Sequence, residues 1–249
     1  MPQTPTRLLT PTRLVRIVYT HDFETDPGLE MYGSAYYDAD NRYLVLTEPV
    51  NDQGAAVWFP IDLNALGIRR FVARFKYRIG GGTGADGIVF MFFHNKVTDP
   101  ATGGKIGFCN KDGSACEGYG VQFDCWKNDL DPSERHVAII KDSVDNHLAY
   151  YNTDKVEDNE WHDVVDYVEA DTGRIVVFLD GEKIIDYDAG SPLDTAYGYV
   201  GFGAGTGGAT NWHVVKGFAL YSVELGTGHE LVPRLGTPAP SRIISPPLR

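Results

Sequence analysis

The sequence is poor in cysteine, in long apolar runs and in helical periodicity, and each shortage excludes something. Three Cys in 249 residues are too few for a disulfide-built scaffold, and an odd count leaves the redox compartment open. Cys109 and Cys116 flank the turn Asn110 to Ala115 and are placed to close a small ring, with Cys125 left over. No apolar stretch is long enough to span a bilayer. The opening MPQTPTRLLTPTRLVRIVYT lacks the apolar core of a signal peptide. No segment carries three turns of helical pattern, and there is no internal repeat. Positive charge is also scarce: 22 Lys and Arg against 34 Asp and Glu leave a formal charge of −12. Residues 1–16 hold three Arg and no acid, and 226–249 hold three Arg and one Glu, so the middle of the chain carries about −17. Such a body repels nucleic acid and anionic membrane and attracts cations, although solubility alone would explain it equally well.

What the sequence has in quantity is short strands between Gly, Asp and Asn turns. Ile17 to Tyr19 begins the series. Met31 to Asp38 and Tyr43 to Leu46 follow, with Asp40-Asn41 between them, and then Ala55 to Phe59. In Arg69 to Ile79, Phe71, Ala73, Phe75, Tyr77 and Ile79 alternate with Val72, Arg74, Lys76 and Arg78, the pattern of a half-buried antiparallel strand. Ile88 to Phe93 is apolar on both parities and reads as buried on both faces. Residues 95–117 form a long glycine-bearing loop, a type usually functional or disordered. Asp145-Asn146 turns into His147 to Tyr151; Trp161 to Val168 and Arg174 to Leu179 are strands; Asp180-Gly181 is a hairpin turn into Lys183 to Tyr187. Tyr199 to Gly203 and Val214 to Val223 close the series. The pattern predicts an all-β antiparallel sandwich or jelly roll over 17–225. The flanks are a Pro/Thr/Arg-rich tail, 1–16, and a second tail, 226–249, with five prolines.

The stretch with the most chemistry is Gly118 to Ile140, GYGVQFDCWKNDLDPSERHVAII. Tyr119, Val121 and Phe123 alternate with Gly120, Gln122 and Asp124, so Gln122 and Asp124 share a face. Asp124, Asn128, Asp129 and Asp131 then crowd one loop before His136 opens the next apolar run. Carboxylates, an amide oxygen and the Trp126 carbonyl are the donors a hard cation such as Ca²⁺ takes. The spacing is not that of an EF-hand. The plain alternative is an Asx-rich turn bonded to itself.

These residues resemble the metal-binding segment of the L-type (legume-like, concanavalin A-like) lectins, where a strand ending E-x-D is followed by an aromatic, Asn, Asp-Pro and His. Asp124, Trp126, Asn128, Asp131 and His136 fall in that order, with the Asn-to-Asp interval two residues shorter. Three more blocks resemble the family in order over roughly residues 30 to 223: Gly84-Ala85-Asp86-Gly87 with its strand, Gly103-Gly104-Lys105-Ile106-Gly107-Phe108, and Gly198 to Gly207.

The resemblance implies a Ca²⁺ site made by Asp124, Trp126, Asn128 and Asp131, and a sugar site made by Asp86, Gly104, Trp126 and Asn128, bordered by Thr206 and Gly207. It implies a cis peptide at Ala85-Asp86, the Asn128 oxygen facing the metal and its NH₂ facing the sugar. His136 would serve a second, transition-metal site. Gln122 stands where the family has Glu, and the lost anion predicts weak or no Mn²⁺ binding there. Lys105, in place of an apolar or aromatic residue, would favour an acidic sugar. The partners implied are glycans or glycoproteins, at a surface or outside the cell, with neither nucleic acid nor membrane insertion.

An enzyme of jelly-roll type would need two carboxylates across the scissile bond. The usual Glu-x-Asp-x-x-Glu run is missing, so catalysis is not expected. A third class is an assembly component that keeps a lectin sandwich and docks its Pro-rich tails on neighbours, as a homo-oligomer or a larger structure.

Overall fold

The computed structural model describes residues 12–194 and 198–226. Fifteen strands form the frame: β1 (Thr12–His21), β2 (Glu30–Gly33), β3 (Tyr36–Asp38), β4 (Tyr43–Thr47), β5 (Gly54–Asp62), β6 (Arg70–Gly80), β7 (Gly87–Phe93), β8 (Gly118–Asp124), β9 (His136–Lys141), β10 (His147–Asn152), β11 (His162–Glu169), β12 (Arg174–Leu179), β13 (Glu182–Asp188), β14 (Tyr199–Gly205) and β15 (Trp212–Gly226). The only helices among the described residues are two 3₁₀ turns, Gly103–Lys105 and Asp154–Glu157. None is long and apolar enough to cross a membrane. The body of the fold is Arg16–Val223. The proline-rich stretches expected to be tails lie almost wholly outside the described residues.

Two antiparallel sheets face each other. One has eight strands, ordered β13-β12-β11-β6-β15-β4-β3 with β1 on β15; the other has seven, β10-β9-β8-β7-β14-β5-β2. The all-β sandwich read from the sequence is therefore the architecture. The alternation in β6 fills the space between the sheets, with Phe71, Phe75 and Tyr77 meeting Phe90, Phe92, Phe123 and Phe202 of the other sheet. Phe75 packs edge-on against Phe202 at 4.8 Å, and Phe59 stacks on Phe218 at 3.9 Å. Each such ring removes a large apolar area from water, the main favourable term in folding.

Strand β7 explains itself once the long loop is in place. Ile88, Phe90 and Phe92 point into the inter-sheet core. Val89, Met91 and Phe93 point the other way, into a second cluster with Trp58, Val97, Ile106 and Phe108. The loop 95–117 thus covers the outer face of the seven-stranded sheet with its own apolar residues. Trp58 Nε1 donates to Val97 O at 2.9 Å, and a Cys109–Cys116 disulfide closes the small ring inside the loop. Cys125 is free and buried.

One expectation is corrected. Met31 to Asp38 is not one strand: β2 pairs with β5 in the seven-stranded sheet, and β3 pairs with β4 in the other. The chain changes sheets at Gly33, whose φ is +71°. A side chain there would come within 1.9 Å of Gly54 O, so only glycine makes this corner. The alternation runs on past the corner and hides it.

Candidate functional site

The register of the seven-stranded sheet collects the marked residues at one end. Gly87, at the start of β7, pairs with Asp124 at the end of β8 and with Gly205 at the end of β14. Asp124 in turn pairs with His136 at the start of β9. Four sequence blocks separated by up to about a hundred residues therefore meet at one rim. The backbone ties them: Asp86 N–H donates to Gly205 O (3.0 Å), Cys125 N–H to Asp86 O (2.9 Å) and Gly103 N–H to Thr206 O (2.9 Å). The Ala85–Asp86 peptide is cis.

Asp86 is buried, and its Oδ2 has no hydrogen-bond partner. Glycine forms the wall beside it: a Cβ on Gly207 would stand 3.4 Å from Asp86 Oδ2 and 3.4 Å from Gly103 Cα. At Gly104 a Cβ would come within 2.9 Å of Asn128 Nδ2. Glycine here leaves open space beside polar atoms that any side chain would fill. Trp126 projects from the same loop with 45% of its surface exposed, unusual for an indole without a partner. Asn128 and Gly104 also border an open groove of about 760 Å³, lined further by Lys105, Lys127, Asp131 and Asp145.

The acidic loop lies just below. Asp124 and Asp131 are both buried. Asp124 Oδ1 accepts from Trp126 N–H at 3.0 Å. Asp131 Oδ2 accepts from Asn128 N–H at 2.7 Å and from Asn128 Nδ2 at 3.1 Å. Burial holds Asp124 well above the ordinary carboxylate range, and the charges of Asp131 and Asp86 push the same way. Asp86 is raised to about 7, by burial first and then by Asp131. Two buried carboxylates, Asp124 and Asp86, whose ionisation is opposed first by burial and then by neighbouring negative charge, mark a place where a cation is wanted. The donors present, two carboxylates, the Trp126 carbonyl and the Asn128 amide, are the oxygens Ca²⁺ takes, so the residues fit that ion.

Several assignments made on sequence change in detail. The Asn128 NH₂ faces Trp126 O and Asp131 Oδ2, where its oxygen was expected; the amide there satisfies two acceptors, and half a turn would exchange the two atoms. Thr206 is fully buried; its hydroxyl donates to Val50 O at 2.6 Å and accepts from Gln53 N–H at 3.0 Å. That hydroxyl holds the loop and is not offered at the surface. Lys105 Nζ bonds Asp145 Oδ2 at 3.2 Å, so its charge is locally balanced and the preference for an acidic sugar loses its basis. His136 is buried beside Gln122, and burial lowers it to about 4. The residue sequence reading missed is His147, which stands against Gln122 and Asp131. Read only as the start of a strand, it carried no signal of its own.

No protein-family model matches the chain. A protein described as a bark agglutinin of Robinia pseudoacacia is 31% identical over 137 residues, 51% of this chain and 50% of that protein. The chain thus spans about half the length of the curated relative it matches. The seed lectin of Lotus tetragonolobus superposes with a TM-score of 0.69 at 20% identity, covering 87% of this chain and 100% of that one. The fold is that of the L-type lectins. The winged bean acidic lectin, solved in complex with methyl-α-D-galactose, superposes equally well: TM-score 0.69, 20% identity, 86% of this chain and all of that one. On this lectin sandwich the cluster of Asp86, Asp124, Asn128 and Asp131 sits at the rim of the seven-stranded sheet.

Proposed function

We propose that the protein binds carbohydrate non-covalently, at Asp86, Gly104, Trp126, Asn128 and Gly207, in a Ca²⁺-dependent way. The observation that carries this is the buried Asp86 carboxylate with an unsatisfied oxygen, beside space that Gly207 keeps free and tied by its carbonyl to Cys125 N–H, next to the exposed Trp126. A sugar presents what such a place lacks. Adjacent hydroxyls would donate to Asp86, a ring or hydroxyl oxygen would accept from a Gly104 N–H or, with its amide turned half round, from Asn128 Nδ2, and a C–H face would lie on Trp126. Bound at Asp124, Asn128, Asp131 and the Trp126 carbonyl, Ca²⁺ would supply the positive charge that offsets the buried carboxylates. With that charge balanced, the Asp86 carboxylate would accept hydrogen bonds from two hydroxyls. The agglutinin and galactoside-complex relatives support a glycan ligand.

Convergence on an open rim favours binding over a purely structural role. The test is calorimetry or a glycan array with added Ca²⁺ and galactose, mannose and acidic sugars in the panel. Wild type should bind at least one glycan, Asp86→Ala should lose it, and EDTA should abolish it. Equal glycan binding by Asp86→Ala would overturn the assignment of the site, and binding unchanged by EDTA would overturn the role of Ca²⁺.

A further inference from the structure

The loop that carries Asp86 joins Gly80, at the end of β6, to Gly87, at the start of β7. It lies squeezed between two other segments. A Cβ on Gly82 would stand 2.0 Å from Thr210 O, and one on Gly80 would stand 2.7 Å from Asn159 Cβ. Thr83 N–H and Gly84 N–H both donate to Thr210 O, at 2.7 and 3.0 Å. Glycine permits this closeness but supplies no stiffness, so whatever fixes the loop comes from its neighbours.

At the junction of the three segments sits Asn211, 1% exposed. Its Oδ1 accepts from Gly82 N–H at 3.1 Å, and its Nδ2 donates to Glu157 Oε1 at 2.7 Å. Both ends of the amide agree on this orientation. Turned round, it would set an oxygen against the carboxylate and an NH₂ against an N–H. Glu157 ends the 3₁₀ turn Asp154–Glu157, and its other oxygen accepts from Arg135 Nε at 3.1 Å. Its side chain is 12% exposed, so water does little to weaken these charge-assisted bonds. At the Asp86 end of the loop, Cys125 N–H and Sγ donate to Asp86 O at 2.9 and 3.2 Å. Asn211 Nδ2 lies 3.7 Å from the same Sγ.

We propose that Asn211 and Glu157 are positioning residues that fix where Asp86 stands. Glu157 locks the Asn211 amide, the amide holds Gly82 and lies against Cys125, and the loop so held presents Asp86 in one place. Neither residue is among those assigned to touch sugar; they are the layer that holds such a site rigid. The consequence for glycan affinity rests on the carbohydrate reading, whereas the ordering of the loop does not. Of the amides of Gly82, Thr83, Gly84 and Asp86, three bond backbone carbonyls and that of Gly82 bonds a side chain. The loop is therefore open to a side-chain change at that point. A site that is competent only part of the time loses apparent affinity in proportion.

Donor and acceptor in this pair can be exchanged. Asn211→Asp alone sets a carboxylate against that of Glu157. Combined with Glu157→Gln, it turns the bond round. The introduced carboxylate then accepts from Gly82 N–H and from the introduced amide, whose oxygen still accepts from Arg135 Nε.

The experiment follows hydrogen–deuterium exchange over residues 82–86 in the full chain with Ca²⁺, and calorimetry with methyl-α-D-galactoside and methyl-α-D-mannoside. Asn211→Ala should quicken exchange of Gly82, Thr83 and Gly84 by at least about tenfold, the scale of one lost hydrogen bond to a charged network, and lower glycan affinity by a similar factor. Asn211→Asp should be worse than Asn211→Ala, and the Asn211→Asp, Glu157→Gln pair should restore both readouts, a gain that a misfolded variant could not produce. Glu157→Gln alone keeps the volume and should quicken the same amides while leaving those of β12, separated from β6 by β11, as in wild type. Unchanged loop exchange in Asn211→Ala, equal quickening in β12, a double variant no better than Asn211→Asp, or faster loop exchange with glycan affinity unchanged would each overturn the proposal. A wild type that binds no glycan would strike the carbohydrate reading, and the exchange pattern would then decide the role of the pair.

Discussion

Asp124 and His136 are partners across the β8–β9 ladder, and that single pairing joins a cluster of carboxylates to a cluster of imidazoles. Asp124 ends its strand buried, beside Asp131 and Asp86, whose charges oppose its own ionisation. His136 begins the next strand with its ring turned to Gln122 and away from solvent. One rung of the sheet thereby separates an oxygen-rich group of side chains from a nitrogen-rich one.

The carboxylate side predicts a crossing of stabilities. In EDTA, Asp124→Asn replaces a buried carboxyl, whose ionisation burial and its neighbours oppose, with a neutral amide of the same shape, and should melt at or above the wild-type temperature. In Ca²⁺ the order should reverse. A ligand that binds only the folded state adds about 2.7 kcal/mol at a hundred times its dissociation constant. For a domain of this size that is roughly 5–10 °C in Tm. Thermal melts of both proteins with Ca²⁺ and with EDTA decide it; the same ordering in both buffers would sink the Ca²⁺ assignment.

Much of this was legible before any coordinates. The alternation of Tyr119, Val121 and Phe123 with Gln122 and Asp124 placed the two polar residues on one face, and they are there. The double parity of Ile88 to Phe93 announced burial on both faces, and the loop 95–117 supplies the second layer. What escaped is physical in kind. The Met31 to Asp38 corner kept its alternation through a change of sheet, so period alone could not reveal it. Thr206 was read only as a border of the sugar site; that its hydroxyl is spent on Val50 O could not be read, because that acceptor lies 156 residues away. His147 arrives beside Gln122 through the pairing of β10 with β9, whose register shifts between His147 and Ala149. No spacing rule anticipates a bulge of that sort.

His213 predicts an acid-side weakness away from the metals. It is fully buried; its Nδ1 is 2.6 Å from Thr47 Oγ1 and its Nε2 has no partner. Burial lowers it to about 3 from an ordinary 6.5. The folded protein therefore keeps the imidazole neutral where the unfolded chain already binds a proton. Stability from this group is intact above pH 6.5 and declines as pH falls toward 3, at up to about 1.4 kcal/mol per pH unit. Urea unfolding at pH 7, 5.5 and 4.5 should show a shallower acid decline for His213→Gln than for wild type. Parallel curves would show that the imidazole is protonated without cost and that the burial argument fails.

Asp166 predicts the opposite sign. On β11 it keeps step with Val164 and Val168, two residues of the inter-sheet core, so its phase in the sequence already pointed inward. It is fully buried, and neither carboxylate oxygen has a hydrogen-bond partner. Burial raises it well above the carboxylate range. The unfolded chain loses this proton near pH 4, while the folded protein must keep it or expose the group. Its contribution is thus least unfavourable at low pH and costs stability as pH rises above about 4. Its strand neighbours in the ladder are Ala73 and Val177, so a branched apolar residue suits the position. Asp166→Val should stabilise the protein at pH 7 by about 1–3 kcal/mol, the scale of an unsatisfied buried polar group, or roughly 2–10 °C in Tm. The gain should shrink toward pH 4. A variant less stable than wild type at pH 7 would mean that the carboxylate is held by a partner in solution and does structural service there.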